Sequence, residues 1–502
     1  MSRPLSHYHV SSTHNSYLAG NQLWGESSPD ALRRALSLGA RVVELDTYDG
    51  NPEPIVTHGG TLTSKLGFRE AVRAVRDYAF REQNVRPSKY PVIITLENHC
   101  TVAQQAFQAS ILREELGDAL YVPPAVRPAE YPSPEELKGK IIIRDKPGVP
   151  LPVAAPGGDG GVAAPTDSQL EAAQEADVEG PDAEEEKEEA AGGEGESKGK
   201  HGKAMHPDLM ALVTVANVKF KGLDKLEVLG LGSTSSSFDE DKIVKVAGKS
   251  PASSGFIRYT RRHLARTYPR GLRVDSSNYN PSFMWQVGCQ IVALNYQSDG
   301  LPVHINQGKF ADNGGCGYVL KAPHLLPPSI QGTEVAAPSG EQSDPLPDDF
   351  DVTGKTAPVK LSLKIELISG HYLPQPAEDK GTSDVVDPYV VIRVDGCEAD
   401  QSTWRSSTVK DNGFNPRWKG EVPEKKYLAQ LSLRRPETAV ITFEVWDEDS
   451  GAMNPDDLCA VFSCPASAVR QGLRVVPLQD VGSVPLPLSN LFVNIGVGDA
   501  TA

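Results

Sequence analysis

Four short stretches in the first hundred residues concentrate side chains that suit acid–base and metal chemistry. They are residues 11–15, 44–46, 57–59 and 96–99. Their histidines can transfer protons or stabilise anionic oxygens. Their amide and carboxylate oxygens are the ligands that a hard cation such as Ca²⁺ prefers. Together the stretches predict a site that combines acid–base groups with an oxygen-ligated cation.

Apolar strand-like runs lead into these polar stretches, and helix-like segments separate the runs. Residues 41–46 and 91–97 are typical of buried strands, whereas residues 68–81 and 101–116 have the periodicity of helices. Such alternation favours parallel βα units. Barrels built from these units keep their reactive groups at the carboxyl ends of the strands, which is where the polar stretches lie.

The alternation occupies residues 1–147 and resumes over residues 207–327, with a helix predicted at 256–266. Neither part contains enough strands to close an eight-stranded barrel by itself. We therefore predict a single α/β TIM-type barrel whose two halves are separated by residues 148–206.

Residues 148–206 form an acidic, low-complexity insertion. Between Asp167 and Glu196 there are 13 acidic residues and one lysine, which supply −12 of the net charge of −16. A segment rich in Pro, Gly, Ala and Glu, with almost no aromatic residues, buries too little apolar surface to order itself. The prediction is an acidic disordered linker. The other interpretation is a lid that repels anionic membrane or covers the mouth of the site.

The pattern changes after a second polar linker, residues 328–357. Residues 358–502 contain runs in which apolar residues alternate at period two, for example 360–367 and 388–394, with no long helix between them. This pattern predicts an all-β antiparallel sandwich. The chain is therefore expected to be multidomain.

Several long motifs resemble eukaryotic phosphoinositide-specific phospholipase C. Residues 4–17 and 43–50 resemble the first catalytic half (X) of that family, and residues 268–281, 285–295 and 312–321 resemble its second half (Y). The motifs stand in the family's order. The resemblance implies a split catalytic barrel, with X in residues 1–147 and Y in residues 207–327.

The last part of the chain resembles the C2 domain that follows the barrel in this family. Residues 412–418, Asn-Gly-Phe-Asn-Pro-Arg-Trp, are a signature piece of it. The sequence contains neither a pleckstrin-homology domain nor an EF-hand calcium loop. The order of the domains that are present resembles most the delta-like and plant-like members.

The resemblance assigns Asn15, Glu44, Asp46 and Glu97 to one catalytic calcium ion. The residue types agree, since one amide carbonyl and three carboxylates are oxygen ligands. Glu44 and Asp46 are two residues apart, so both side chains leave the same face of a strand. Alone, such a pair is more often a solvated strand end; four matched positions favour the ligand interpretation.

The resemblance also implies hydrolysis of phosphatidylinositol 4,5-bisphosphate to diacylglycerol and inositol 1,4,5-trisphosphate through a cyclic phosphate. Either Glu44 or Glu97 is expected to take the proton of the inositol 2-hydroxyl. His14 would stabilise charge on the phosphoryl oxygens. His58 would protonate the departing diacylglycerol oxygen and later act as a base toward water.

Substrate recognition falls, by resemblance, to cations and one aromatic ring. Lys146, Arg266 and Arg144 are expected to reach the ring phosphates, and Tyr268 to pack on the inositol face. Arg144 replaces a lysine common in animal members. Asn217 stands where a serine contacts a ring phosphate. Preference among phosphoinositides is therefore less well determined than activity.

Acidic residues recur in the predicted loops of the sandwich. A second calcium site is expected there, and its candidate ligands are Asp387, Asp411, Asp447, Asp449 and Asp457. Such a cluster repels itself until a cation arrives, and the bound cation would favour anionic lipid. The other interpretation is a sandwich that only docks against the barrel.

The setting is predicted from what the sequence lacks. Its six cysteines form no CxxC pair, which favours a reducing, cytoplasmic compartment. No signal-peptide core and no run of 18 apolar residues occur. We expect a monomer that binds an anionic phosphoinositide membrane peripherally at the plasma membrane, with an upstream protein activator not identifiable from the sequence.

Three other function classes have less support in the sequence. A catalytically silent lipid-binding scaffold would be marked by loss of a catalytic histidine, and both are present. A glycerophosphodiester phosphodiesterase shares barrel, metal and paired histidines, but it lacks the split barrel and the attached sandwich. Nucleic-acid binding has no basic stripe with interleaved aromatics to support it.

Overall fold

A computed structural model of the chain describes residues 1–128, 130–147, 153–154, 162–163, 205–220, 222–223, 234–328, 346–376, 385–421, 423–449 and 456–499. The acidic segment 167–196, for which a linker or a lid is predicted, lies outside the described residues. The described chain divides into two compact units.

The first unit comprises residues 1–279, 287–298 and 315–350. Eight strands of this unit form a barrel: β1 (Tyr8–Thr13), β2 (Val42–Tyr48), β3 (Val92–Asn98), β4 (Ile141–Asp145), β5 (Val213–Asn217), β6 (Thr234–Asp239), β7 (Leu264–Tyr268) and β8 (Ile291–Leu294). Each strand pairs in parallel with the next. Parallel pairing of β8 with β1 closes the ring. The prediction of one barrel made from both halves is confirmed.

Six helices in the described residues of this unit accompany these strands: α1 (Pro29–Ser37), α2 (Phe68–Ala79), α3 (Val102–Leu116), α4 (Pro207–Met210), α5 (Glu240–Ala247) and α6 (Ala252–Thr260). Local sequence fixes several of their starts. Ser28 caps α1 by accepting the backbone N–H of Asp30, with Pro29 at the first helical position. Asp239 caps α5 by accepting two backbone N–H groups.

Short strands and 3₁₀ turns complete the unit. Ile55–Val56 pairs with β2 and with Leu66–Gly67, and Tyr318–Leu320 pairs with β1. Leu18–Ala19 pairs with Glu26–Ser27. Val153–Ala154 pairs with Val162–Ala163. The described residues of this unit have 3₁₀ turns at Leu5–His7, Gly117–Ala119 and Pro323–Leu325.

Apolar side chains of the strands are buried on both faces of the barrel wall. Val43, Leu45 and Ile94 pack with helix residues such as Val72 and Leu112 in one core, because a parallel sheet covered by helices buries both of its faces. Polar residues are concentrated at the carboxyl ends of β2, β3 and β4. This apolar packing fixes the positions of the strands, and therefore of the polar groups at their carboxyl ends.

The predicted helix at 256–266 is wrong in its second half. Helix α6 ends at Thr260, and Leu264–Tyr268 is strand β7. Arg266 and Tyr268 therefore project from a barrel strand.

The second unit comprises residues 280–286, 299–314 and 351–502. Where the structure describes this unit, it contains eight strands: β9 (Leu361–His371), β10 (Pro388–Asp395), β11 (Ser402–Arg405), β12 (Leu428–Leu433), β13 (Val440–Asp447), β14 (Asp457–Pro465), β15 (Gly472–Gln479) and β16 (Pro485–Asp499). They are antiparallel and follow the order β11-β10-β13-β14-β15-β16-β9-β12. The prediction of an all-β sandwich is confirmed.

Two helices, α7 (Ser282–Gln286) and α8 (Leu301–Lys309), belong to the second unit. A Cβ atom on Gly308 of α8 would lie 2.5 Å from the side chain of Ser463 and 2.7 Å from that of Val440. Only glycine permits this close approach of the helix to β13 and β14. Trp418, Val390 and Leu491 lie in the buried core of the same unit.

No helix among the described residues has the length and apolar character needed to cross a bilayer.

Candidate active site

Three carboxylates meet at the carboxyl ends of β2 and β3. One oxygen each from Glu44, Asp46 and Glu97 lies within 4.8 Å of the other two. Asp46 is paired with Glu97 in the parallel register, and Glu44 lies two residues before Asp46 on the same face. Among the described residues, no other three carboxylate, imidazole or thiol groups lie this close together.

Asn15 lies beside this carboxylate cluster. Its backbone N–H donates to Oε2 of Glu44 at 3.2 Å, and its side-chain Nδ2 donates to Oε1 of Gln22 at 2.9 Å. The residue has a φ of +40°, a conformation that asparagine adopts more readily than most residues. Because Nδ2 is directed at Gln22, the amide oxygen Oδ1 is the atom of Asn15 that can bind a cation.

The donor set fits a hard divalent cation. Three carboxylates and one amide oxygen suit Ca²⁺ or Mg²⁺, and the set contains neither the thiolate nor the imidazole that a zinc site typically uses. Calcium, the expected ion, accepts this number and type of oxygen ligand, with water or substrate completing its shell.

Each carboxylate is oriented by a neighbouring donor. The hydroxyl of Tyr17 donates to Oδ2 of Asp46 at 2.7 Å, and Arg266 forms a buried ion pair with Glu44. Nε2 of His99 lies 3.2 Å from Oε1 of Glu97. Burial raises the pKa of Glu97, but the hydrogen bond and charge of His99, together with nearby cations, lower it further than burial raises it. Glu97 is therefore ionised at neutral pH.

His14 and His58 are both held through Nδ1. In His14 this atom lies 3.0 Å from Oδ1 of Asn295, and in His58 it lies 2.8 Å from the backbone carbonyl oxygen of Gln22. Oxygens of these two types accept hydrogen bonds, so each Nδ1 is the donor. Nε2 is then the basic nitrogen of each ring. Burial lowers the pKa of His14, while the negative charge of Glu44 raises it.

Arg144 and Asn217 lie together at the ends of β4 and β5. The guanidinium of buried Arg144 donates to Ser235 at 2.8 Å, to Ser237 at 2.7 Å and to Oδ1 of Asn217 at 2.9 Å. Burial, together with the positive charge of Arg266, lowers the pKa of Arg144 to about 9. The side chain of Lys146 is exposed.

The ring of Tyr268 lies near both the ring of His14 and the guanidinium of Arg266. Its ring is parallel to that of His14 with centroids 6.2 Å apart, and the guanidinium carbon of Arg266 lies 4.8 Å from its centroid. The structure therefore places Arg266 on Glu44 and over Tyr268. A direct contact of Arg266 with a ring phosphate stays a prediction.

Three polar residues of this region are not among the candidates that the sequence motifs indicate: Gln22, Ser276 and Asn295. Asn295 follows β8 directly, so a polar residue after a buried strand was the signal that could have found it. Gln22 and Ser276 lie in irregular segments, where no periodicity marks them. Their hydrogen bonds join Asn15 to both histidines.

Exposed apolar side chains lie on loops next to this site. Trp24 is 67 % exposed, Leu62 is 84 % exposed and Leu272 is 67 % exposed. The backbone N–H of Leu62 donates to the carbonyl of Leu23 at 2.8 Å, so two of these loops are adjacent. Large apolar side chains left in water together are typical of a surface that binds another protein or a membrane.

The candidate calcium residues of the sandwich are less closely gathered. The carboxylate of Asp387 forms an ion pair with Lys410 at 2.9 Å and accepts a hydrogen bond from the backbone N–H of Asp411. The backbone N–H of Asp387 donates to the carboxylate of Asp447 at 2.7 Å. Asp449 and Asp457 flank residues 450–455, which lie outside the described residues. Within the described part of the sandwich, no three carboxylates lie as close as those of the barrel.

Comparison with known protein families follows the same division of the chain. Residues 1–147 match the phosphatidylinositol-specific phospholipase C X domain, residues 209–324 match the Y domain of the same family, and residues 361–478 match the C2 domain.

Curated relatives are similar over almost the whole chain. The 1-phosphatidylinositol 4,5-bisphosphate phosphodiesterase delta-1 of Rattus norvegicus is 37% identical over 505 residues, which cover 99% of this chain and 61% of the relative. The delta-3-A enzyme of Danio rerio is 36% identical over 99% of this chain and 58% of its own length. The inactive phospholipase C-like protein 2 of Mus musculus is 34% identical over 99% of this chain and 40% of its own length. This chain spans about three fifths or less of the length of these relatives.

The crystal structure of L. pealei PLC21 has the same fold. It superposes with a TM-score of 0.76 at 27% sequence identity, covering 100% of this chain and 57% of that one. The X and Y motifs, the closed barrel and the sandwich all agree with these matches. The chain belongs to the phosphatidylinositol-specific phospholipase C family.

Proposed function

We propose that this chain hydrolyses phosphatidylinositol 4,5-bisphosphate to diacylglycerol and inositol 1,4,5-trisphosphate in a calcium-dependent reaction with a cyclic phosphate intermediate. The observation that carries the proposal is the cluster of Glu44, Asp46 and Glu97 beside two histidines whose Nδ1 atoms are both held. The names of the delta-type relatives support the substrate.

The residues that would hold calcium are Asn15, Glu44, Asp46 and Glu97. When bound, the ion supplies positive charge that lowers the pKa of the inositol 2-hydroxyl and offsets the charge of the phosphate. The proton of that hydroxyl passes to a carboxylate, Glu44 or Glu97. The deprotonated oxygen then attacks phosphorus, and the bond from phosphorus to the diacylglycerol oxygen breaks.

The two histidines handle the charge and the proton of this step. With Nδ1 of His58 donating to a carbonyl oxygen, Nε2 is the atom that gives a proton to the departing diacylglycerol oxygen. The same Nε2 then takes a proton from the water that opens the cyclic phosphate. In His14, Nε2 carries a proton in the imidazolium form, and an adjacent phosphate favours that form.

Recognition of the inositol phosphates is assigned to Arg144, Lys146, Asn217, Arg266 and Tyr268. The three hydrogen bonds of Arg144 all go to neutral oxygens, so none of them neutralises its charge. A buried cation in this state attracts a ligand phosphate strongly. Tyr268 supplies a flat apolar face for the inositol ring.

The partner implied by this chemistry is an anionic phosphoinositide membrane, bound peripherally by a cytoplasmic monomer at the plasma membrane. Exposed Trp24, Leu62 and Leu272 support that proposal, because their burial in lipid is favourable at about 25 cal/mol per Å². We assign the catalytic halves to residues 1–147 and 207–327 and the C2 domain to residues 358–502. The linkers are 148–206 and 328–357. The C2 calcium ligands stay the five aspartates proposed from the sequence.

A lipid-binding protein without turnover is the second candidate. It is favoured by one observation, the 34% identity with a relative named inactive. Retention of both histidines and all four proposed calcium ligands favours the enzyme.

The test is hydrolysis of labelled phosphatidylinositol 4,5-bisphosphate in mixed vesicles, with wild type beside His58→Ala. We expect His58→Ala to lower turnover by about 10²–10⁴-fold, the usual contribution of a general acid–base group. His206→Ala is the matched control, since this half-buried histidine caps helix α4. Equal turnover of His58→Ala and His206→Ala would reject the role of His58. Wild type that binds vesicles without turnover would favour the second candidate.

A further inference from the structure

Gln22 lies at the centre of the hydrogen bonds that join the proposed metal ligands to the histidines. Its side chain is 6 % exposed, and both ends of the amide are used. Oε1 accepts from Nδ2 of Asn15 at 2.9 Å, and Nε2 donates to Oδ1 of Asn295 at 3.2 Å. Its backbone carbonyl accepts from Nδ1 of His58 at 2.8 Å.

Residues of the Y half hold Gln22 in this place. The backbone N–H of Gln22 donates to the carbonyl of Val274 at 3.0 Å. Nε2 of Gln22 also donates to the hydroxyl of Ser276 at 2.9 Å, and that hydroxyl donates to the carbonyl of Gly20 at 2.9 Å. Ser276 has a φ of +61°, and its side chain is buried. A side chain bonded in this way at both ends has little freedom to rotate.

The direction of each bond fixes the direction of the next. Because Oε1 of Gln22 accepts, Asn15 presents Nδ2 to it and keeps Oδ1 for a cation. Nε2 of Gln22 donates to Oδ1 of Asn295, and Nδ2 of Asn295 donates to the carbonyl of Ser277 at 3.3 Å. These two bonds together make Asn295 present Oδ1, which also accepts from Nδ1 of His14. An amide is the neutral side chain that accepts at one end and donates at the other. A carboxylate or an alkyl group cannot make both bonds.

We propose that Gln22 is a positioning residue for the reaction proposed above, on which this inference rests. Its side chain sets which atom of Asn15 faces the cation site and which nitrogen of His14 carries the proton, and its backbone carbonyl does the same for His58. Groups that orient metal ligands and imidazoles in this way are worth about 10–100-fold in affinity or activity.

The test compares Gln22→Leu with a matched control, Gln105→Leu. Gln105 is 4 % exposed, and its amide also bonds at both ends, to the carbonyl of Cys100 and to the N–H of His206. Both variants lose one buried amide of similar exposure, so a loss of stability alone should affect them equally. Thermal unfolding of both full-length variants checks this point.

Three readouts separate positioning from stability. The turnover of Gln22→Leu on phosphatidylinositol 4,5-bisphosphate vesicles should fall by about 10–100-fold, and the calcium affinity of the site, measured by calorimetry, should fall by about tenfold. In calcium-free protein, long-range ¹H–¹⁵N spectra should show His14 changing from its Nδ1–H tautomer to a mixture. His58 should keep its Nδ1–H tautomer, because its acceptor is a backbone oxygen. Gln105→Leu should match wild type in all three.

An unchanged His14 tautomer, or a calcium affinity equal to that of Gln105→Leu, would overturn the inference. If Gln22→Leu does not fold, the nearly isosteric Gln22→Glu keeps the acceptor toward Asn15 and loses the donor toward Asn295. His14 should then change tautomer, and an unchanged His14 would again overturn the inference. If wild type shows no turnover, the proposed function fails, while the tautomer and calorimetric readouts still decide the role of Gln22.

Discussion

At the scale of single residues, Asp145 is a buried carboxyl between two cations of the site. Burial raises the pKa of Asp145 to about 7, although hydrogen bonds from the N–H of Lys146 and the amide of Asn98 lower it. The folded-state pKa thus exceeds the usual value of 3.8. A raised carboxyl pKa favours folding at low pH, and that contribution is lost as the pH rises from about 4 to about 7.

Asp145→Asn should therefore gain stability relative to wild type as the pH increases. The difference in the free energy of unfolding between variant and wild type should shift in favour of the variant by on the order of 2 kcal/mol between about pH 5 and pH 8. Urea denaturation at each pH measures it, with exposed Asp118→Asn to correct for the loss of one carboxylate. A difference that stays constant, or that moves the other way, would contradict the buried-carboxyl account.

Arg144 should contribute to choice of head group rather than to the chemical step. Arg144→Gln removes a buried cation, so hydrolysis of phosphatidylinositol 4,5-bisphosphate should fall by about 10–100-fold, the range for hydrogen bonds to charged groups. Phosphatidylinositol, which lacks the ring phosphates, serves as the internal control and should be hydrolysed at the wild-type rate. Equal losses on both lipids would show that Arg144 supports the fold of the site instead.

Much of the site was predictable from residue types at strand ends. Glu44, Asp46 and Glu97 follow apolar strand runs, and the structure brings these three together. Gln22 and Ser276 were not predictable, because their importance comes from a hydrogen bond between residues that are 254 positions apart in the chain. Sequence periodicity reports on residues that are near each other in the chain, so it does not predict a hydrogen bond between distant segments.

At the scale of elements, the acidic loops of the sandwich contain a lysine, Lys410, whose ammonium group pairs with their carboxylates. Lys410 donates to Asp387 at 2.9 Å and to Glu448 at 2.9 Å, and these hydrogen bonds raise the pKa of the lysine. A calcium ion at Asp387 would compete with this ammonium. Lys410 therefore offsets part of the repulsion that was expected to be relieved by calcium.

Lys410→Ala should increase the calcium affinity of the sandwich by up to about fivefold, since an exposed ion pair is worth up to about 1 kcal/mol. Calorimetry on the full chain measures it, with Asp46→Asn in every sample to weaken the barrel site. Lys419→Ala is the matched control, because Lys419 pairs with Glu366 on the same sandwich at 3.0 Å. Affinity that is equal in the two variants would remove Lys410 from the site.

The helix prediction at 256–266 shows where element prediction failed. The segment contains Phe256, Ile257 and Leu264 at helix-like spacing, but Arg262 and His263 form a turn and strand β7 starts at Leu264. Both elements are apolar on the faces they bury, so periodicity alone does not locate the junction. The consequence is functional, since Arg266 and Tyr268 reach the site from a strand.

At the scale of the whole molecule, the barrel is made from two separated segments of sequence. Strands β4 and β5, on either side of residues 148–206, pair in parallel. Strand count predicted this closure, because neither half has eight strands. The grouping of α7 and α8 with the sandwich strands was not predictable. The polar residues His304, Asn306 and Gln307 of α8 indicate a solvent-exposed helix face in the sequence, but the structure buries all three.

The acidic segment should reduce hydrolysis on anionic vesicles through its charge. It adds −12 to the chain, and like charges repel over about a Debye length, roughly 10 Å at 0.1 M salt. Deletion of residues 153–203 should raise basal hydrolysis on vesicles, and the gain should shrink at high salt. Replacement by an uncharged Gly/Ser segment of equal length is the control. If a folded deletion variant has unchanged or lower activity, the segment only connects the two halves of the barrel and does not inhibit hydrolysis.

The central claim is that the carboxylate cluster and the two histidines form a working calcium-dependent phosphodiesterase. Its most direct test is release of inositol 1,4,5-trisphosphate from phosphatidylinositol 4,5-bisphosphate vesicles by the wild-type chain with calcium, after chelation and after calcium is restored. The account predicts release with calcium, loss on chelation and recovery on return of the ion. Absence of release at every calcium level, with vesicle binding intact, would contradict it and place the chain with the inactive relatives.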